Sequence, residues 1–303
     1  MDVKRVVGYR EFCNKLWNIV KFALSNFPTD FKPKEDGVTS LEGKLSLADK
    51  WILTRCSKLI DSTNQNLADY KFGDYSNDLY EFWKKELADV YLEAIKPVVK
   101  SGDSEAALNT LYLVLDASLK MLHPAMPYIS EELYQRLPHL SHKMSNSICI
   151  APFPTKMVSF EGSEDKMAKL LNTVKALRSQ LAALNVATNA KPTVCVSSTS
   201  DDLHHMFKRE AAVVTSLVKA GETIVLNAGE ADPAGCLRGF ASDDISIYVK
   251  VIGLIDIKLE IVRINKRTKA LEDFMQKLDQ KMKMPGYESK VPENVRKENT
   301  EKM

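Results

Sequence analysis

Through the first half of the chain, apolar side chains recur at intervals of three and four residues, which commits that stretch to amphipathic helices rather than strands. Phe12, Leu16, Ile19, Val20 and Ala23 line one face of a first helix. A second starts at Ser46-Leu47-Ala48-Asp49, a capping-box pattern with Asp in the usual place of Glu. It continues through Trp51, Ile52, Cys56, Leu59, Ile60, Thr63 and Leu67. A third begins after Phe72-Gly73-Asp74, carries Leu79, Phe82, Trp83, Leu87, Val90, Tyr91 and Ile95, and is expected to end at Pro97. The turn Ser101-Gly102-Asp103-Ser104 launches a fourth helix through Leu108, Leu111, Leu115 and Leu122. Pro124 and Pro127 are expected to break the chain before a short fifth helix, Ser130 to Leu137. The loop between helices one and two, residues 28–43, is polar and is expected to be mobile. Residues 1–152 thus read as a helical bundle.

Residues 155–253 change character. A helix from Ser163 to about Leu184 precedes the β-branched run Thr193 to Ser197, and another helix is expected from Asp202 to Ala220. Thr223 to Leu226 and the alternating run Ile245 to Val249 read as further strands. A small α/β layer follows, its strand order left open. From 254 to 303 a heptad dominates. Ile257, Ile261, Ile264, Thr268, Leu271, Met275, Leu278 and Met282 alternate by four and three residues, with only Thr268 out of character. Pro285-Gly286 turns the chain and Pro292 opens a returning helix. The fold class is expected to be mainly α: a bundle, a small α/β domain and a long coiled-coil-type arm, the last expected to be a truncated hairpin whose seam lacks much of its partner.

Charge separates these segments. The net charge of +2 argues against indiscriminate nucleic-acid binding. Lys and Arg number 19 against 20 acids in residues 1–150, 11 against 11 in 151–253, and 12 against 9 in 254–303. The surplus lies in the last segment, which makes it the candidate for phosphate contacts. No run approaches the ~18 apolar residues of a membrane helix, and residues 1–30 lack a signal-peptide cleavage site. The five cysteines stand far apart without a Cys-x-x-Cys pair and read as buried reduced thiols of a cytosolic protein.

Several motifs carry a family resemblance. Phe12-Cys13-Asn14-Lys15-Leu16-Trp17-Asn18 resembles the sequence with which valyl-tRNA synthetases leave their catalytic core. Leu45 to Leu53 looks like the start of that family's second bundle helix, and Leu79 to Trp83 with Asp89 to Glu93 like its third. His123 to Leu133 looks like a segment shared by the valyl, isoleucyl and leucyl enzymes, and Tyr287 to Pro292 like the valyl C-terminal arm. The α/β segment is similar to that of eukaryotic cytosolic valyl enzymes. The resemblance covers nearly the whole chain in order.

It implies valine–tRNA ligase activity, with ATP and Mg²⁺ in the full enzyme only, in the cytoplasm. With eleven residues before the opening motif, this chain is expected to be the tRNA-gripping part, catalytically inactive alone and without a cofactor. His142-Lys143-Met144-Ser145-Asn146-Ser147 resembles the ATP-binding Lys-Met-Ser-Lys-Ser loop, but Asn146 replaces the second lysine and the motif follows the bundle instead of preceding it. His-x-Gly-His and phosphate-loop motifs are missing, and adjacent His204 and His205 diverge on a helix, which disfavours a metal pair.

The partner implied is tRNA-Val, with other synthetases or elongation factor subunits as further partners and neither membrane nor DNA. Candidate arm contacts are Arg263, Lys266, Arg267, Lys269, Lys277, Lys281 and Lys283. Anticodon-region candidates are Arg10, Lys71, Tyr75 and Lys84, since unpaired bases stack on side chains. Trp17, Trp51, Trp83, Phe82 and Tyr91 are expected in the core. His123 is expected to satisfy a backbone carbonyl, and Glu131 and Glu132 to place charge in a helix's first turn. Alternatives are a non-catalytic RNA-binding protein derived from the enzyme, a helical protein–protein scaffold, and an incomplete gene model.

Overall fold

The computed structural model describes residues 3–138, 145–184, 186, 190–227, 230, 232–254, 257–283 and 287, excluding the side chains of 3–5, 257, 259–260, 267 and 281. Helix α1, Val3–Asn26, buries the apolar stripe Leu16, Ile19, Val20 and Ala23. The segment that follows is not the free polar loop its composition suggests. Phe27 and Phe31 stack with ring centroids 4.3 Å apart, and Val38 and Leu41 are buried around a 3₁₀ turn, Thr39–Lys44. The Lys34 backbone N–H donates to Asn109 Oδ1 at 3.1 Å, fixing this segment to the helix that carries Leu108 and Leu111.

Helix α2, Leu47–Ala68, opens with the expected capping box. Asp49 N–H donates to Ser46 Oγ at 3.1 Å, and Ser46 N–H returns to Asp49 Oδ2 at 2.9 Å. Helix α3, Phe72–Glu81, runs through a π segment, Phe82–Tyr91, into α4, Leu92–Ser101. This helix does not stop at Pro97, which lies inside α4, and the chain turns only at Gly102, whose φ is +93°. A proline lacks the N–H that would bond the carbonyl four residues back. That carbonyl, on Glu93, instead accepts the Ser216 hydroxyl at 2.8 Å, so the helical defect becomes a tie to a later helix.

Helix α5, Glu105–Leu122, is buried along most of its length. Helix α6 spans Pro127–Arg136, starting earlier than expected because Pro127 occupies its first turn, where a fixed φ and missing N–H cost nothing. Glu131 and Glu132 therefore fall beyond the first turn.

Helix α7, Ser163–Ala183, packs between α2 and a four-stranded sheet. The strands are β1 Thr193–Ser198, β2 Glu222–Leu226, β3 Cys236–Ser242 and β4 Ile245–Lys250, in the order β2-β1-β4-β3. β1 and β2 run parallel, while β4 is antiparallel to β1 and β3. The helix expected over 202–220 is two, α8 Asp201–Arg209 and α9 Ala211–Val218, broken at Glu210. The Glu210 carboxylate accepts the Leu47 N–H at 3.3 Å, at the start of α2. One apolar core extends from Leu16 in α1 to Val249 in β4.

Helix α10, Ile257–Met282, follows the heptad. Its seam positions Ile261, Ile264, Leu271 and Met275 are exposed, while Leu278 is buried. The expected turn at Pro285-Gly286 and the return from Pro292 lie outside the described residues.

Candidate nucleic-acid interface

Helix α1 on one side, and α3, the π segment and α4 on the other, form the walls of two adjoining clefts that share Glu11 and Lys15. The first encloses about 510 Å³ among Tyr9, Phe12, Lys15, Tyr80 and Lys84. Phe12 and Tyr80 rings meet at 4.9 Å. The Lys84 ammonium lies 4.9 Å from the Tyr80 ring centroid and donates to the Tyr80 hydroxyl at 2.6 Å, a bond that raises the lysine's pKa. The second, about 480 Å³, has Asn14, Asn18 and Phe22 on one side and Asp89, Glu93 and Lys96 on the other. A Lys15–Asp89 ion pair of 2.8 Å stands between α1 and the π segment. Amides, aromatic rings and ammonium groups therefore line one trough, side-chain types able to hydrogen-bond base edges, stack on bases and pair with phosphates.

Of the four bundle residues singled out by sequence, Lys84 lines this trough, and Arg10 is exposed beside its Tyr9. Lys71 is exposed at the α2–α3 turn, ion-paired with Asp69 at 3.1 Å. Tyr75 is a correction: it is 3% exposed and its hydroxyl donates to the Met121 carbonyl, so its ring belongs to the core. Tyr9, Tyr80, Asn14, Asn18 and Phe22 were not singled out. Their signal was present in Asn14 and Asn18, four residues apart and flanking Lys15 on one helix face.

On α10, Arg263, Lys266, Lys269, Lys277 and Lys283 are exposed, while the side chains of Arg267 and Lys281 lie outside the described residues. Arg263 donates to the Ala183 carbonyl at the C-terminus of α7, which docks the base of the arm. Lys283 pairs with Asp279 at 2.7 Å. Lys266, Lys269 and Lys277 form no ion pair with another described residue, leaving three ammonium groups directed to solvent.

Other residues depart from expectation. Trp17 is 40% exposed, with the Arg136 guanidinium 5.2 Å from its ring centroid, whereas Trp51, Trp83, Phe82 and Tyr91 are buried as expected. His123 Nδ1 bonds the Ser130 hydroxyl at 2.8 Å, a side chain rather than a backbone carbonyl. Glu131 accepts from Ser147 Oγ at 2.8 Å and the Ile148 N–H at 2.9 Å, pinning the chain after α6, and Glu132 pairs with Arg136. In the motif resembling an ATP loop, residues 142–144 lie outside the described residues, and the Asn146 carbonyl accepts from Gln135 at 3.2 Å.

Cys56 and Cys195 are buried, and burial pushes the Cys195 thiol up to about 11. Cys13 and Cys236 are half-buried and Cys149 is exposed, so the thiols are not uniformly interior. Among the described residues no group of three or more His, Cys, Asp or Glu could hold a metal ion, and no described helix is long and apolar enough to cross a membrane.

Residues 49–196 match the family model described as the anticodon-binding domain of tRNA ligase, and residues 256–303 match the valyl tRNA synthetase tRNA binding arm. The chain is 34% identical over 309 residues to the valine–tRNA ligase of Mus musculus, covering all of this chain and 24% of that relative. It is 35% identical over 301 residues to the Rattus norvegicus enzyme, covering 97% of this chain and 24% of the relative. The mitochondrial valine–tRNA ligase of Saccharomyces cerevisiae is 32% identical over 310 residues, covering all of this chain and 28% of the relative. The chain spans about a quarter of the length of these curated relatives.

Proposed function

We propose that this chain, which belongs to the valyl-tRNA synthetase family, is the tRNA-gripping part of a valine–tRNA ligase acting on tRNA-Val in the cytoplasm. The observation that carries this reading is the order of two complementary surfaces. An aromatic and amide trough leads into a stretch matching an anticodon-binding domain, and a basic helix occupies the stretch matching a tRNA-binding arm. Unpaired anticodon bases stack and hydrogen-bond along α1 and the π segment. Lys266, Lys269 and Lys277 on α10 meet phosphates, which fixes register without reading sequence. In the full enzyme ATP and Mg²⁺ supply valine activation. This chain contributes tRNA selection and placement and holds no cofactor itself.

The division of labour is testable through salt. Phosphate contacts release counterions, so log K falls linearly with log salt. Replacing Lys266, Lys269 or Lys277 by Ala is expected to reduce that slope by about one each and to weaken all tRNAs alike. Titrations across a salt series check this. Unchanged slopes in all three variants would contradict the arm's role.

A further inference from the structure

The turn that closes α2 presents two aromatic rings to solvent from a conformation that disfavours one of them. Lys71 N–H bonds the Asn66 carbonyl at 2.8 Å and Tyr70 N–H bonds the Leu67 carbonyl at 3.2 Å. This is the Schellman pattern, in which the residue after the cap adopts a left-handed conformation and is usually glycine. Here that residue is Tyr70, with φ +58°. A side chain with a Cβ is disfavoured in this region, a bulky one especially. The only other described non-glycine residue with positive φ is Lys219, whose polar side chain suits solvent.

The fold recovers little from Tyr70. Its ring is 79% exposed, and it meets Phe72, itself 58% exposed, edge-to-face at 6.2 Å. Between them in sequence stands Lys71, whose ammonium spends one donor on Asp69 and, with three N–H groups, retains two. An exposed aromatic pair outside the core, one of its rings carried on a strained backbone, is an arrangement found where structure is set aside for contact.

We infer that Tyr70 and Phe72 form a stacking site for an unpaired nucleobase of the bound RNA, with Lys71 reaching the adjoining phosphate. The two perpendicular rings offer a face and an edge to a flat heterocycle, and the site lies within the stretch matching an anticodon-binding domain. It stands apart from the α1 trough, none of whose lining residues belongs to this turn. The inference rests on the RNA reading above. Stacking on an aromatic side chain contributes about 5- to 150-fold in affinity per base.

The test uses the full chain, a transcript of valine tRNA at one low salt concentration, and the variants Tyr70→Gly, Tyr70→Phe and Phe72→Ala. Tyr70→Gly relieves the left-handed strain and is expected to raise Tm while weakening binding at least fivefold. Tyr70→Phe should bind within twofold of the parent, and Phe72→Ala should lose affinity as Tyr70→Gly does. A raised Tm with unchanged affinity for Tyr70→Gly overturns the stacking site and marks the turn as a protein contact. Binding by the parent distinguishes this failure from failure of the RNA reading itself, which would show as no binding by any protein.

Discussion

Asp49 comes from the bundle and Glu210 from the α/β segment, and both are held out of water at the start of α2. Burial pushes both carboxyls up from their ordinary range, against the hydrogen bonds that Ser46 and Tyr91 give Asp49 and the Leu47 N–H gives Glu210. Since the folded-state pKa is the higher, their stability contribution is fully present below pH ~4 and is lost as pH rises through the folded value. Glu210→Gln keeps an oxygen for Leu47 and removes the titration. It should flatten the decline in urea unfolding free energy from pH 4 to pH 7, and an unaltered decline would show that Glu210 is not its source. The capping box was legible in Ser46 and Asp49 because its chemistry is local. Trp17 and Tyr75 were misread because helical spacing assigns a face but cannot say whether that face's edge meets protein or water.

The long helix from Phe72 to Ser101 shows what periodicity conveys and what it hides. Its apolar positions were legible, yet its continuation through Pro97 is accompanied by a hydrogen bond from Ser216, more than a hundred residues away, whose hydroxyl donates to the carbonyl that proline leaves unpaired. The break at Glu210 likewise coincides with a tie to α2, whose Leu47 N–H donates to the Glu210 carboxylate. Strand β3 escaped notice because Leu237, Gly239 and Phe240 lack the buried alternation of an interior strand and sit at the sheet's edge. Helix α10 was the easiest to recognise, since a heptad needs no tertiary context. Its exposed seam separates two kinds of leucine. Leu271→Ala should change unfolding free energy by less than about 0.5 kcal/mol, whereas Leu111→Ala, fully buried in α5, should cost about 2–5 kcal/mol. Urea denaturation distinguishes them, and a large loss at Leu271 would mean that the seam is packed in solution.

At the scale of the whole molecule, α7 links the bundle to the sheet through one apolar core, and Arg263 docks the arm on the end of that helix. The trough lies on α1 and the basic stripe on α10. Near-neutral overall charge leaves non-specific attraction weak, and the proposed function assigns discrimination to shaped contacts in the bundle. The measurement that tests this most directly is binding of the chain, across a salt series, to valine tRNA and to the same tRNA carrying a changed anticodon. Tighter binding to the native anticodon is expected at every salt concentration, with parallel salt slopes because the proposed arm contacts are shared. Equal affinity for the two tRNAs would contradict the bundle's role as the reader.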